Sequence, residues 1–272
     1  MPELPEVEVV RSSLEPLLVG RRITGVQLRC GSLRRPVDPA LPRLLTGRSI
    51  TATRRRSKYL VLDLDQGPSC ILHFGMSGTL IHNRGGLESP ARHDHLLFEL
   101  DDGAVLSFND PRRFGLVVMD DYDSCSLFAE LGPEPLQADR FTAAYLAGFK
   151  TRSRRTIKDV LMDQRVVAGL GNIYVNEILF DCGVRPRRRM PRVSRAECAL
   201  LVESSRRILT EAIEHRGSTV SDFLDGIGRR GGYQWRHQVY DKVGEPCGHC
   251  GSVIKLVSVG GRSSFYCPSC QD

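Results

Sequence analysis

At 272 residues the chain is long enough for two domains or one large one, and with 41% hydrophobic and 26% charged residues it has the make-up of an ordinary soluble globular protein. No apolar run nears the roughly 18 residues of a membrane span, and the N-terminus lacks the basic-then-apolar pattern of a secretory signal, so a cytoplasmic or nucleoid location is expected. The formal charge is +6, but residues 1–132 hold 16 Lys and Arg against 17 Asp and Glu while residues 133–272 hold 22 against 15, which makes the second half the expected footprint for a polyanion.

After the opening PELPEVE, the apolar positions Val7, Val10, Leu14 and Leu17 fall at helical spacing and Gly20 ends the run. The period then changes. ITGVQLR, SITATRR, KYLVLDLD, SCILHFG and HLLFELDDGAVLSF are short alternating or apolar runs broken by turn residues, and DDG at 101–103 is a hairpin signal. They predict an antiparallel sandwich or barrel of roughly eight strands with one helix on its N-terminal side. Lys58, in RRRSKYL, is the only lysine of the first 132 residues in a chain with five lysines and 33 arginines. Arginine keeps its proton in a protein whereas lysine can release it, so Lys58 is a candidate for a task that needs an amine. A chance survivor on a strand is the plainer reading.

LGPEPLQAD at 131–139, rich in proline and glycine, marks a boundary. Beyond it the pattern turns helical in FTAAYLAGF, RTIKDVLMDQ, GNIYVNEILFDCG and SRAECALLVESSRRILTEAIEH. Residues 227–236, IGRRGGYQWR, have no apolar period and read as a mobile loop, and a small module closes the chain from about Glu245.

Of nine cysteines, Cys30, Cys70, Cys125, Cys182 and Cys198 are scattered among apolar neighbours and read as buried thiols. The other four form CGHC-x16-CPSC. Cys247, Cys250, Cys267 and Cys270 have the paired-knuckle spacing of a tetrahedral zinc site, structural because four cysteines leave no open position for substrate. VIKLVSVGGRSSFYC between the knuckles alternates as a hairpin would, with Arg262 at its tip. In AGLGNIY, Gly169 and Gly171 precede Asn172 and a helix. That arrangement lets backbone N–H groups approach a phosphate, with Asn172 as cap and contact, although tight helix packing explains the glycines equally well. NDPRRFG at 109–115 and GMSG at 75–78 place Arg112, Phe114 and Met76 on turns. Exposed apolar tips suit insertion into duplex DNA from which a base has been extruded, and a place in the core suits Met76 and Phe114 as well.

The opening PELPE acquires a meaning beside such DNA features. A second-position proline in a frayed terminus often means little. With Met1 removed, however, Pro2 presents a secondary amine. A typical α-amino group is about one-tenth neutral at pH 7, against about four parts in ten thousand for an ordinary lysine, a roughly two-hundredfold advantage as a nucleophile. Attack on a sugar C1′ displaces the base. Ring opening then leaves a cationic iminium, an electron sink for eliminating the 3′ phosphate, and Glu3 can protonate the ring oxygen.

PELPEVE, RRSKYL, HFGMSG, RHDH at 92–95, NDPRRFG, LGPEPL, AGLGNIY, QVY followed by GEPC, and GRSSFYCPSC together resemble the bacterial formamidopyrimidine-DNA glycosylases along the whole length. The resemblance implies an α+β multidomain fold. It comprises an antiparallel β-sandwich with a flanking helix (1–132), a helix–two-turn–helix DNA-binding domain (133–240) and a four-cysteine zinc-finger hairpin (241–272). It implies a bifunctional glycosylase and abasic-site lyase acting on double-stranded DNA with oxidised or ring-opened purines, and one structural zinc ion. By matching position, Pro2 is the nucleophile and Glu3 the acid. Lys58 acts in excision and β-elimination, and Arg262 in δ-elimination. Met76, Arg112 and Phe114 fill the void, with Arg112 reading the opposite cytosine, and His73, His93, Arg152, Arg154, Lys158 and Asn172 hold phosphates. A monomer is the default expectation. The chain departs from the family at Arg216-Gly217-Ser218, where Gly-Gly is usual before the hydroxyl residue, and at Asp241-Lys242, where Gly-Arg is usual. An endonuclease VIII-like preference for oxidised pyrimidines is the alternative within the class, although that relative usually has glycine where this chain has Leu4. A catalytically silent zinc-finger DNA-binding protein is the alternative outside it.

Overall fold

The computed structural model describes residues 2–272. Two compact units divide the chain. The first runs to Ala129 and also takes in His215–Gln234; the second comprises Glu130–Glu214 and Trp235–Asp272.

The first unit opens with helix α1 (Leu4–Leu18), whose Leu4, Val7, Val10, Leu14 and Leu18 are buried along one stripe. Glu3 and Glu6 close a capping box at its start. Eight antiparallel strands follow, with the five-residue helix α2 (Leu41–Leu45) after the first. Strands β1 (Ile23–Leu28), β6 (Asp94–Leu100), β7 (Val105–Asn109) and β5 (Thr79–Asn83) form one four-stranded sheet in that spatial order. Strands β2 (Ile50–Arg56), β3 (Tyr59–Leu64), β4 (Ser69–His73) and β8 (Leu116–Asp120) form the other. Leu96, Phe98, Leu106 and Phe108 of the first sheet and Leu60, Leu62 and Leu72 of the second are fully buried. Each such side chain contributes about 2 kcal/mol of hydrophobic stabilisation. Val61 and Ile71 are buried in a separate cluster with Cys125, Tyr122 and Phe128, beside the short helix α3 (Ser126–Ala129). The eight strands and the DDG hairpin agree with the sequence pattern.

The second unit is helical: α4 (Ala143–Ala147), α5 (Phe149–Arg152), α6 (Ile157–Met162), α7 (Asn172–Asp181) and α8 (Arg195–Glu214). Thr156 caps α6 by accepting the Asp159 N–H at 3.1 Å, and Ser194 with Glu197 forms a capping box on α8. Strands β9 (Lys255–Val259) and β10 (Arg262–Tyr266) make the expected hairpin. No helix is long and apolar enough to cross a membrane among the described residues.

Residues 227–236 do not behave as the loose loop their composition suggests. The Gly232 and Tyr233 N–H groups donate to His215 O and Gly217 O, the Gly231 N–H donates to Thr219 Oγ1, and Asp225 takes the N–H groups of Ile227 and Arg229. Glycine-rich composition here serves close backbone pairing.

Arg216 and Asp241 both lie in the left-handed backbone region, at φ of 60° and 61°. These are the positions at which the resemblance leads one to expect glycine, and the backbone gives a physical reason for it. A side chain there costs about 1 kcal/mol, more for arginine than for aspartate, which tolerates the conformation. Glycine would relieve that cost and give back part of it through a freer unfolded chain. Arg216→Gly is expected to raise the unfolding midpoint by about 1–3 °C in calorimetry. An unchanged or lowered midpoint would show that the Arg216 side chain offsets the strain of its own backbone.

Candidate active site

The residues singled out in the sequence divide between the two units. In the first, Pro2 and Glu3 stand at the buried entrance of α1. The Glu3 N–H donates to Glu6 Oε2 at 2.9 Å, and the other oxygen of Glu6 accepts the Ser218 N–H at 2.8 Å. One carboxylate thus holds the Pro2–Glu3 peptide and a backbone group 212 residues further on. Met1 lies outside the described residues.

Lys58 sits in the two-residue turn between β2 and β3, where Arg56 pairs with Tyr59. Ser57 takes the left-handed conformation of that turn (φ 55°), and Lys58 is 6% exposed. The turn is tied to α1: Arg55 Nε meets Glu8 Oε2 at 3.0 Å while its Nη1 donates to Ser57 O at 3.0 Å. Glu8 also pairs with Arg11. At the end of β4, His73 Nδ1 accepts the Gly75 N–H at 2.9 Å, which leaves the ring proton on Nε2. Burial, and then the positive charges of Lys58 and Arg34, hold its pKa down at about 4. His73 is therefore a neutral donor at physiological pH.

Met76 and Phe114 are 40% and 47% exposed, so they are surface tips and not core residues. Their loops are pressed back to back. A Cβ on Gly75 would lie 2.3 Å from the carbonyl carbon of Phe114, at a φ of +58°, so only glycine fits there. The fully buried Asp110 clamps both loops: Oδ1 accepts Ser77 Oγ–H at 2.9 Å and Oδ2 accepts the Gly115 N–H at 2.7 Å. Its carbonyl oxygen lies 2.9 Å from His95 Nε2, and its N–H donates to His93 O. The Arg112 guanidinium rests 5.0 Å from the centre of the Phe114 ring, within cation–π range. His93 is half-buried beside His95. Asp110, Glu6 and Glu8 were not singled out in the sequence; the i, i+3 spacing of Glu3 and Glu6 at a helix start is the signal that points to the capping box.

In the second unit, Arg152 and Arg154 are exposed and Arg155 pairs with Asp163. Lys158, which the resemblance places on a phosphate, lies within the fold of the second unit. It is 1% exposed, and its ammonium donates to Ser263 O at 2.8 Å and Ser264 Oγ at 2.7 Å. A charge buried this deeply needs such partners, and it pins the β10 strand next to Arg262. Asn176 assists by accepting the Phe265 N–H at 2.9 Å. Glu177 accepts three N–H groups in succession, from Gln238, Val239 and Tyr240. Burial raises its pKa while those donors and Lys242 oppose the rise. Asn172 is the first residue of α7, and Gly171 occupies the cap position, so the expected side-chain cap is absent. Its Oδ1 is buried without a hydrogen-bond partner among the described residues. Arg262 is exposed at the start of β10.

The Sγ atoms of Cys247, Cys250, Cys267 and Cys270 lie within 4.8 Å of one another, with 3.8 Å between Cys247 and Cys270 and 3.4 Å between Cys250 and Cys267. Tetrahedral Zn–S bonds of about 2.3 Å put sulfurs about 3.8 Å apart, so the four fit one structural zinc ion. Cys247 and Cys267 also pack in the cluster that contains Phe180, Val239, Ile254 and Phe265. Cys250→Ser is expected to lose the zinc in metal analysis and to lower affinity for abasic-site DNA, with the β-sandwich still folded by circular dichroism. Unchanged affinity would remove the finger from the DNA contacts.

A β-sandwich that buries an N-terminal proline–glutamate pair, a helical domain and a four-cysteine hairpin define the class of zinc-finger proteins with a helix–two-turn–helix domain. Three family models match: the formamidopyrimidine-DNA glycosylase N-terminal domain over residues 1–117, the formamidopyrimidine-DNA glycosylase H2TH domain over 131–224, and the zinc finger found in FPG and IleRS over 244–272. The formamidopyrimidine-DNA glycosylases of Xanthomonas campestris and Cereibacter sphaeroides are 44% and 45% identical over the full length of both chains. Among solved structures, Lactococcus lactis FPG bound to DNA containing Fapy-dG superposes with a TM-score of 0.90 at 33% identity, covering 99% of this chain and 100% of that one. Thermus thermophilus MutM superposes at 0.86 and 37% identity, covering 99% and 98%. The chain belongs to the formamidopyrimidine-DNA glycosylase family.

Proposed function

We propose that the chain, acting as a monomer in the bacterial cytoplasm, removes oxidised or ring-opened purines such as 8-oxoguanine and formamidopyrimidines from duplex DNA and then cleaves the abasic site by β,δ-elimination. The observation that carries this reading is the buried Pro2–Glu3 entrance to α1, held by Glu6, with the Lys58 turn tied to the same helix through Arg55 and Glu8. Relatives solved with DNA containing Fapy-dG and an abasic site support it.

In this mechanism the Pro2 nitrogen attacks C1′ of the extruded nucleotide, and the C1′–N bond breaks with its electron pair leaving on the base. The Pro2 nitrogen, now a tertiary ammonium, gives up its proton, which the departing base takes; Glu3 protonates the ring oxygen, the C1′–O4′ bond opens, and the freed lone pair of the Pro2 nitrogen forms the iminium. Loss of a C2′ proton then expels the 3′ phosphate, and a second elimination expels the 5′ phosphate. Lys58 assists excision and the first elimination, Arg262 the second. Met76, Arg112 and Phe114 occupy the space left by the base. His73, as a neutral Nε2–H donor, joins His93, Arg152, Arg154 and Asn172 on phosphates. Residues 1–132 serve catalysis, 133–240 DNA binding and 241–272 the finger, with 215–234 contributing to the catalytic unit in which it packs.

Borohydride reduction on a lesion-bearing duplex is expected to trap a covalent adduct whose protein mass begins at Pro2. A trapped species that retains Met1 would transfer the nucleophile's role elsewhere, with Lys58 the next candidate. No adduct from active-site-intact protein would leave only a silent DNA binder.

Excising 8-oxoguanine opposite adenine would fix a mutation, so the partner base must be inspected. The Arg112 guanidinium can donate two hydrogen bonds to the adjacent acceptors of cytosine, N3 and O2, where adenine offers one acceptor, N1, beside a C2–H that accepts nothing. An unpaired polar group costs about 1–3 kcal/mol, or roughly ten- to a hundredfold in rate. Wild type should prefer lesion·C over lesion·A by that margin, and Arg112→Ala should lose most of it. Intact discrimination in Arg112→Ala would move the reading to Arg113, which lies at a φ of 56° on the same turn.

A further inference from the structure

Between Gly217 and Gly226 the chain leaves α1 and comes back to it. At the near foot, the Ser218 N–H donates to Glu6 Oε1 at 2.8 Å. At the far foot, the Gly226 N–H donates to Ser13 Oγ at 2.9 Å, and the Gly226 carbonyl accepts the His82 N–H at 2.8 Å. Glu6 and Ser13 are seven residues apart, two helical turns, so they lie on one face of α1 about 10 Å apart along its axis. The Ser13 hydroxyl has a fixed rotor: its O–H donates to Val10 O at 2.9 Å, which leaves a lone pair for Gly226. Gly226 is pressed onto the helix, since a Cβ there would lie 2.3 Å from Leu14 Cγ and 2.9 Å from Ser13 Oγ.

The arch between the feet is braced from within. The Thr219 hydroxyl donates to Phe223 O at 2.9 Å and accepts the Gly231 N–H at 2.8 Å. Asp225 accepts the Ile227 and Arg229 N–H groups, and Phe223 is buried. A stiff arch on two feet takes its position from the feet. The near foot shares the Glu6 carboxylate with the Glu3 N–H, so the arch stands beside the Pro2–Glu3 peptide.

We propose that Ser13 is a specificity-determining positioning residue, which holds Gly226 on α1 and so sets the height of the 218–226 arch over the base that Pro2 displaces. The inference rests on the glycosylase reading above. An arch beside the nucleophile can meet a base that is about to leave, and it has nothing to meet at a site already abasic. Loosening the far foot therefore slows base excision and spares strand cleavage at a preformed abasic site.

The test compares wild type, Ser13→Ala, Ser13→Thr and Gly226→Ala on two duplexes of one sequence, one with 8-oxoguanine and one with an abasic site. Losing one neutral hydrogen bond is expected to lower single-turnover excision by Ser13→Ala about fivefold. Abasic-site cleavage and the unfolding midpoint should stay at wild-type values, since alanine is a good helix former. Ser13→Thr keeps the hydroxyl and should restore excision; Gly226→Ala should lower excision further while keeping cleavage. Unchanged excision by Ser13→Ala, or an equal fall in both activities, would overturn the proposal alone. A wild type that cleaves the abasic duplex but excises no base would overturn the glycosylase reading and this proposal with it.

Discussion

The Glu6 carboxylate is the interaction on which the first unit turns. It is 1% exposed and accepts backbone N–H groups from Glu3 and Ser218. A buried carboxylate is costly unless its oxygens are satisfied, and here both are satisfied by the main chain, which fixes geometry more firmly than a flexible side chain would. The three glutamates of PELPEVE divide the labour along one helix. Glu3 faces the proposed chemistry, Glu6 holds the backbone around it, and Glu8 draws the Lys58 turn in through Arg55. A terminus would ordinarily fray. This one is buried from its second residue because a whole helix stripe is inserted in the core behind it.

The same device recurs where loops must be held without a sheet. Asp110 joins the Met76 and Phe114 loops with two oxygens, one to a hydroxyl and one to a backbone N–H. In the second unit Lys158 and Glu177 do the equivalent, the ammonium binding the finger strand and the carboxylate gathering three consecutive N–H groups. Each of these groups is buried, and each is over-determined by partners from distant parts of the chain. That is how protruding tips such as Met76 and Phe114 can stay exposed on a rigid base.

Much of this was legible in the sequence. Alternating strands, the DDG hairpin, the stripe of α1 and the cysteine spacing are local patterns whose geometry follows within a few residues. What stayed hidden was non-local. Lys158 looks like any surface cation in RTIKDVLMDQ, and nothing near it shows that its partners are Ser263 and Ser264. Asp110 sits in a turn where aspartate is common for local reasons, so its reach to Ser77 leaves no trace. The glycine and arginine of residues 227–236 suggest mobility, because composition reports the freedom of a backbone and not the hydrogen bonds that remove it. Asn172 was displaced by one residue: Gly171 takes the cap position, a shift that short-range propensity does not resolve.

The scarcity of lysine has a consequence for how this surface can be regulated. In the unit formed by the chain up to Ala129 and by His215–Gln234, Lys58 is the only lysine, and it is buried. Every exposed basic side chain of that unit other than histidine is therefore arginine. A guanidinium does not lose its proton at any physiological pH and is not a substrate for acetylation of the kind that silences lysine. The positive groups of this face, including Arg112 at its tip, carry a charge that neither cellular acidity nor acyl-group metabolism can dim.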